Sequence, residues 1–229
     1  MTIVAVSGLM REARMVGGPG VRTVVGAGDA AALRRKLADA IAQGAHGIIS
    51  IGIAGGLEPS LKSGDCLVAS EVVTGGERIA TDSAWRARMI ARLPDATVGP
   101  LAGAERILVG KAAKADLFRA SGAYAVDTES HVAAELARAH RLPFAVLRTI
   151  SDPAGSELPA LAAQALTPEG RLNIVAVFKS LLKEPRQIPD LVRTARESKA
   201  AFEALLRCRR ALGPGLLGPN GGELAFDMR

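Results

Sequence analysis

The chain has 229 residues, 48% of them hydrophobic and only 3% aromatic, with a formal charge of +6. That is enough apolar material for one α/β domain whose core is built from Ala, Val, Leu and Ile. The basic balance suits an anionic ligand or surface, but Trp85, Tyr124 and five phenylalanines offer no stacking platform for single strands, so no nucleic-acid partner is expected.

Strand and helix signals alternate along the chain. Thr2–Ser7 is a short β-branched run ending at Gly8 and reads as a buried strand. Its apolar stretch is too short for a secretory leader and lacks a basic start. Arg22–Val25 reads as a second strand. Ala30–Gln43 has helical spacing, with Asp29 where an N-cap belongs. Gly47–Ile53 is a continuous apolar run that ends in Gly55-Gly56, and Asp65–Val73 is another strand. Ser83–Leu93 reads as a helix capped by Ser83 and stopped by Pro94. Arg106–Val109 reads as a short strand, Thr128–His140 as a helix capped by Thr128 or Ser130, and Pro143–Ile150 as a strand closing on Ser151-Asp152-Pro153. This alternation predicts one mixed, mostly parallel sheet flanked by helices.

Beyond about residue 156 the character changes. Ile174, Val177, Phe178, Leu181 and Leu182 follow helical spacing. After Pro185, a second amphipathic helix is marked by Ile188, Leu191, Val192, Ala195, Phe202, Leu205 and Leu206. Its other face carries Arg193, Arg196, Lys199, Arg207, Arg209 and Arg210, a basic stripe suited to peripheral contact with anionic lipid. Residues 1–212 are therefore expected to form the domain, with a helical extension over 156–212 and a loose tail over 213–229. No apolar run reaches the ~20 residues needed to span a bilayer. Cys66 and Cys208 are far apart, and His46, His131 and His140 stand at no ligand spacing. No metal or organic cofactor is expected, and a reducing cytoplasm is the expected location.

Three stretches are suited to chemistry. Ile51-Gly-Ile-Ala-Gly-Gly-Leu57, with Gly64-Asp65 after it, is either a tight turn or a place where backbone N–H groups approach a ligand. It matches neither GxGxxG nor a P-loop. Asp127-Thr-Glu-Ser130 is either helix capping or an acidic site at a helix start. Asp152 follows a buried strand, where ligands of α/β sheets gather.

In this order, IGIAGGLEPSLKSGD, AVDTES and LPFAVLRTISDPA resemble the signature segments of the purine nucleoside phosphorylase, uridine phosphorylase and methylthioadenosine nucleosidase superfamily. The resemblance covers about residues 1–155. Over almost the whole chain, GLMREAR, GGPGVRTVVGAGDA, IGIAGGL and ALLRCRRALGPG also resemble the hopanoid-associated phosphorylases, a branch of that superfamily.

The resemblance implies cleavage of the N-glycosidic bond of a purine nucleoside. It makes Asp152 the group that gives or shares a proton at purine N7, kept protonated by burial, with Ser151 orienting it. Glu129 would hold the ribose hydroxyls, and Thr128, Asp127, Gly55 and Gly56 would complete the substrate contacts. The nucleophile is less defined. Aligning Gly8 puts Ala13 where the nucleosidases carry a water-activating glutamate, one residue from Glu12. Ser50 and Ile53 stand where an Arg and a Ser of the glycine-loop segment are expected. Phosphate as co-substrate would then rest on Gly8, Arg11, Arg14, Arg22 and Gly52. The branch implies a lipid-linked nucleoside, adenosylhopane, as substrate, and the superfamily implies a homo-oligomer. Hydrolysis, of that substrate or of methylthioadenosine or adenosylhomocysteine, is the alternative.

Overall fold

The computed structural model describes residues 1–157 and 188–219. Among the described residues, eight strands run β1 Ile3–Ser7, β2 Val21–Val25, β3 Gly47–Gly56, β4 Cys66–Thr74, β5 Glu77–Ala80, β6 Thr97–Gly103, β7 Ala125–Asp127 and β8 Phe144–Asp152. The helices are α1 Met10–Val16, α2 Ala30–Ala42, α3 Ser83–Arg92, α4 Lys111–Ser121, α5 Ser130–Ala139 and α6 Ile188–Leu212. The mixed α/β architecture is the expected one. The parallel pairs are β1 with β2, β1 with β3, β3 with β8, β4 with β6 and β6 with β7. Antiparallel pairing joins β3 to β7, β4 to β5 and β4 to β8.

The sheet also curls on itself. Strands β3, β8, β4, β6 and β7 form a closed ring, because β3 bonds to both β8 and β7. The switch occurs at the register shift between Ala54 and Gly55. Gly55 and Gly56 are therefore strand residues rather than a loop after a strand. A Cβ on Gly56 would lie 3.1 Å from Ile150 and 3.3 Å from the Pro153 backbone. Only a bare backbone lets β3 and β8 lie this close.

Strand periodicity divides the core. Val4 and Val6 of β1 pack with Leu33 and Leu37 of α2 and Val132 and Ala133 of α5. Ile3 and Ala5 point the other way, toward Trp85, Met89, Phe202, Leu205 and Leu212. Burial on both faces is what a helix-covered parallel sheet requires.

Several local expectations change. Asp29 caps α2 as read, accepting from the Ala32 N–H at 2.8 Å. Helix α3 is capped by Asp82, not Ser83, through the Trp85 N–H at 2.7 Å. Neither Thr128 nor Ser130 caps α5: the N-cap position is Glu129, without a side-chain cap bond, and Asp127 before it accepts from the Ser130 N–H at 2.9 Å. Residues 106–109 form no strand. The ladder runs instead through Thr97–Gly103, and the apolar residues after it face a cavity. Helices α1 and α4 and strands β5 and β7 are additions to the elements expected from sequence.

Helix α6 lies against β8. It is held by Thr149 Oγ1–H donating to the Ala201 carbonyl at 3.0 Å and by Arg209 Nε–H donating to the Val16 carbonyl at 2.9 Å. The Cys66 and Cys208 sulfurs meet at 3.5 Å, an approach that their separation in sequence does not suggest. Pro214–Leu217 form a 3₁₀ turn in which Leu216 is fully buried and its carbonyl accepts from the Trp85 indole N–H at 2.9 Å. The beginning of the expected loose tail is thus packed, because it covers Trp85. The helix expected over 174–182 lies outside the described residues. No described helix is long and apolar enough to cross a membrane.

Candidate active site

A cavity of about 1080 Å³ opens over the carboxyl ends of the strands. Its polar floor comes from four places in the chain. Asp127 ends β7, Thr128 and Glu129 enter α5, Ser151 and Asp152 end β8, and Glu12 projects from α1. Gly8 and Gly55 complete the floor.

Of the residues read from sequence, Asp152, Ser151, Glu129, Thr128, Asp127, Gly55 and Gly8 are brought together here. Gly56 and Gly52 lie behind the surface. The expected phosphate set is not assembled. Arg14 is exposed on the far side of α1, about 200° around the helix from Glu12. Arg22 reaches instead toward the Ala40 carbonyl at 3.4 Å. Arg11 does line the cavity, but its guanidinium stacks on Phe202 at 4.0 Å. His131 packs against Gly103, outside the cavity lining.

Glu12, not Ala13, is the acidic position near the first strand. Ala13 is buried in the core, whereas Glu12 lines the cavity at 1% exposure. One Glu12 oxygen accepts from the Ile53 N–H and the other from the Leu9 N–H, both at 2.7 Å. Burial pushes its pKa up, opposed by the Arg148 guanidinium and by the N–H groups of Ile53, Leu9 and Gly8. A Cβ on Gly52 would stand 2.5 Å from Glu12 Oε1 and 2.6 Å from Arg148 Nη1. The glycine thus leaves room for both side chains to lie against β3.

Arg148 is fully buried in the middle of β8. Its Nη2 lies 2.5 Å from Asp127 and 3.7 Å from Glu129, and donates to Ser50 Oγ at 2.6 Å. Burial works against its charge, but the Asp127, Glu129 and Glu12 carboxylates more than offset this and raise its pKa. An arginine therefore does reach the glycine segment, in register opposite Gly52. Its charge is paired with Asp127 and Glu129, with Glu12 acting on it at longer range.

Glu129 is held by Thr128 Oγ1–H at 2.5 Å. Burial and the Asp127 charge push its pKa up to about 7, against the pull of Arg148. Because this value stands above that of an unfolded glutamate, Glu129's contribution to stability is whole below about pH 4.5 and is lost as pH rises through about 7. The thermal midpoint of the protein is therefore expected to fall relative to that of Glu129→Gln as pH rises across this window. A constant difference between the two would contradict the assignment.

Asp152 is 3% exposed. Ser151 Oγ–H lies 2.5 Å from its Oδ1, and the Lys114 ammonium donates to its Oδ2 at 2.6 Å. Burial is thus only part of its environment, since a lysine with no signal in the sequence stands directly behind it.

The other half of the cavity is apolar. Arg106, Ile107 and Leu108 form one rim, while Leu191, Val192, Ala195, Phe202 and Leu206 of α6 form a wall. The helix periodicity noted in sequence thus serves a ligand surface as well as the core.

A model of the phosphorylase superfamily matches residues 15–183. A search of curated proteins returns no match. Among solved structures, the Streptococcus pneumoniae MTA/SAH nucleosidase in complex with 8-aminoadenine has a TM-score of 0.64 at 16% identity, covering 93% of this chain and 100% of its own. The S-adenosylhomocysteine nucleosidase of Streptococcus pyogenes, with 5-methylthiotubericidin, gives 0.61 at 17% identity, covering 91% and 95%. A point mutant of the Helicobacter pylori enzyme, with 5′-methylthioadenosine in its active site, gives 0.58 at 19%, covering 80% and 99%. At such identities these likenesses are likenesses of fold. The family match spans most of the chain, and on that ground the chain belongs to the phosphorylase superfamily.

Proposed function

We propose that this enzyme releases adenine from a nucleoside whose 5′ side carries a large hydrocarbon, by attack of water at C1′. The observation that carries the choice of water is Glu12. It is a buried carboxylate with a raised pKa, poised beside Glu129 at the cavity floor. A carboxylate whose pKa is raised is a stronger base toward water than an ordinary one. Three carboxylates around Arg148 also repel phosphate, and two of the three arginines expected to bind it lie elsewhere.

The roles follow from the arrangement. Glu129 holds the ribose hydroxyls and balances positive charge on the oxocarbenium-like sugar. Asp152 engages the purine edge at N7, where the leaving base needs a proton. Adenine is supported by the compounds held by the three structural relatives. The hydrocarbon is supported by the α6 wall and by a volume at the upper end of ordinary ligand cavities. Adenosylhopane is the substrate of this kind that the sequence resemblance suggests.

Phosphorolysis is the second reading, favoured by Arg11 and Arg106 at the cavity. Adenine release from adenosylhopane and from methylthioadenosine, each with and without phosphate, separates the two. The expected result is phosphate-independent release with a free reducing sugar as co-product. A sugar 1-phosphate formed only with phosphate present would overturn hydrolysis. No adenine from any nucleoside would overturn the enzymatic reading of the site.

A further inference from the structure

Lys114 lies at the start of α4, one turn after Gly110, and is fully buried. Lysines are almost never buried this completely unless paired. A cation near a helix N-terminus also stands at the wrong end of the helix dipole. Ion pairs removed from water contribute little net stability, so the packing of α4 alone gives no reason for a lysine here. The side chain is absent from the cavity lining and points at the back of Asp152. Its ammonium donates to Asp152 Oδ2 at 2.6 Å, and the Asp152, Pro153 and Ser156 carbonyls at 3.0, 3.0 and 3.3 Å share its other two N–H groups.

The other Asp152 oxygen takes the Ser151 hydroxyl. That hydroxyl also lies 3.1 Å from the Ala54 carbonyl, so its one proton has two acceptors; the ammonium has no lone pair, so Oδ2 can only accept from it. Gly55 borders the same carboxylate, with a Cβ there 3.1 Å from Oδ2, so the edge left open faces the cavity.

We propose that Lys114 is a positioning residue for the reaction: it locks Asp152, as a carboxylate, against the purine edge, so that Asp152 accepts a hydrogen bond from the purine protonated at N7 instead of storing that proton itself. This rests on the reading of the site given above. The bonds balance without change at either residue. The C1′–N9 bond breaks with its electron pair passing to the purine, and N7 takes one proton from solvent. The water oxygen bonds to C1′, and its proton leaves through Glu12. Lys114 and Asp152 end as they began. The charged pair is therefore a fixed dipole aimed at charge that appears only as the base departs.

The test compares two leaving groups on the same sugar. One substrate is a 5′-substituted adenosine that the wild type cleaves. The other is the 4-nitrophenyl riboside with the same 5′ group, whose phenolate departs without a proton. Lys114→Gln keeps donors for the carbonyls but removes the charge. It is expected to lower kcat for the nucleoside by about 100-fold with KM within about threefold, and to lower aryl riboside cleavage by less than about threefold. Lys114→Arg, which keeps the charge, is expected to hold the nucleoside-to-aryl rate ratio within about tenfold of wild type.

A parallel fall in both substrates, or no fall in either, overturns the proposal and leaves the site reading intact. If Lys114→Gln does not fold, Lys114→Arg carries the test: a retained ratio supports the role, and a larger loss of the ratio overturns it. A wild type that cleaves neither substrate sinks the proposal together with the site reading.

Discussion

Glu12→Gln is expected to slow adenine release by about 10²–10⁴-fold while leaving nucleoside binding nearly unchanged, since general-base assistance is of that size and appears mainly in kcat. The glutamine side chain is close to isosteric. It still offers an oxygen to the Ile53 or Leu9 N–H, so the fold is expected to survive. The pH profile adds a second readout. Burial raises the Glu12 pKa and carries that of Glu129 up to about 7, so wild-type kcat/KM is expected to rise from acid toward neutral pH along a limb well above the ordinary carboxylate range. The limb belongs to the coupled carboxylates as a group. Glu12→Gln is expected to remove the Glu12 part of it. Full activity in this variant, with or without phosphate, would rule out Glu12 as the base.

Asp152→Asn has the second large effect, and it acts on both turnover and stability. Losing the carboxylate proposed to meet N7 is expected to cost about 10²–10³-fold in rate, the size of one preorganised electrostatic contact. The same change leaves the Lys114 ammonium buried with no counter-charge, and breaking a buried ion pair from one side costs about 3–5 kcal/mol. Rates therefore have to be taken per folded molecule, with thermal midpoints measured alongside. A variant that is destabilised yet fully active per folded molecule would show that Asp152 only anchors Lys114. One that is inactive but as stable as wild type would contradict the strength of the pair.

The parts legible in the sequence share a physical cause. Strands β1, β3 and β8 and helix α2 are long enough for their periodicity to register, and Asp29 is a strong capping residue. Helix α1 has seven residues and begins after Leu9, which gives no capping signal. Strand β6 reads TVGPLAG, so its Gly and Pro argue for a turn although the strand is held by β4 and β7. Asp152, Ser151, Glu129, Thr128 and Asp127 are legible because each lies at the boundary of an element that is itself legible.

Arg148 carries a signal that periodicity alone passes over. It is a charged residue within a strand whose nine positions are all buried, so it requires buried acids nearby. Lys114 carries none, because KAAKAD looks like any solvated helix start until the fold turns Lys114 inward. The arginines expected to bind phosphate fail for a simple reason. Clustering in sequence near the end of β1 does not fix which side of α1 or β2 each one leaves.

The packing of α6 and the turn after it has a kinetic side. The Trp85 indole reaches Leu216 across 131 residues, and Arg209 reaches Val16 across 193. Contacts of such span must close large loops before they return any stability, and chains dominated by them fold slowly. The polar floor of the cavity is assembled from residues before 157, while its apolar wall arrives only with α6. The floor residues Glu129 and Asp152 and the α6 wall that faces them are thus brought together by contacts that span most of the chain. The single tryptophan sits at the seam between the sheet and the turn after α6, so its fluorescence reports the docking of that segment beside the cavity wall.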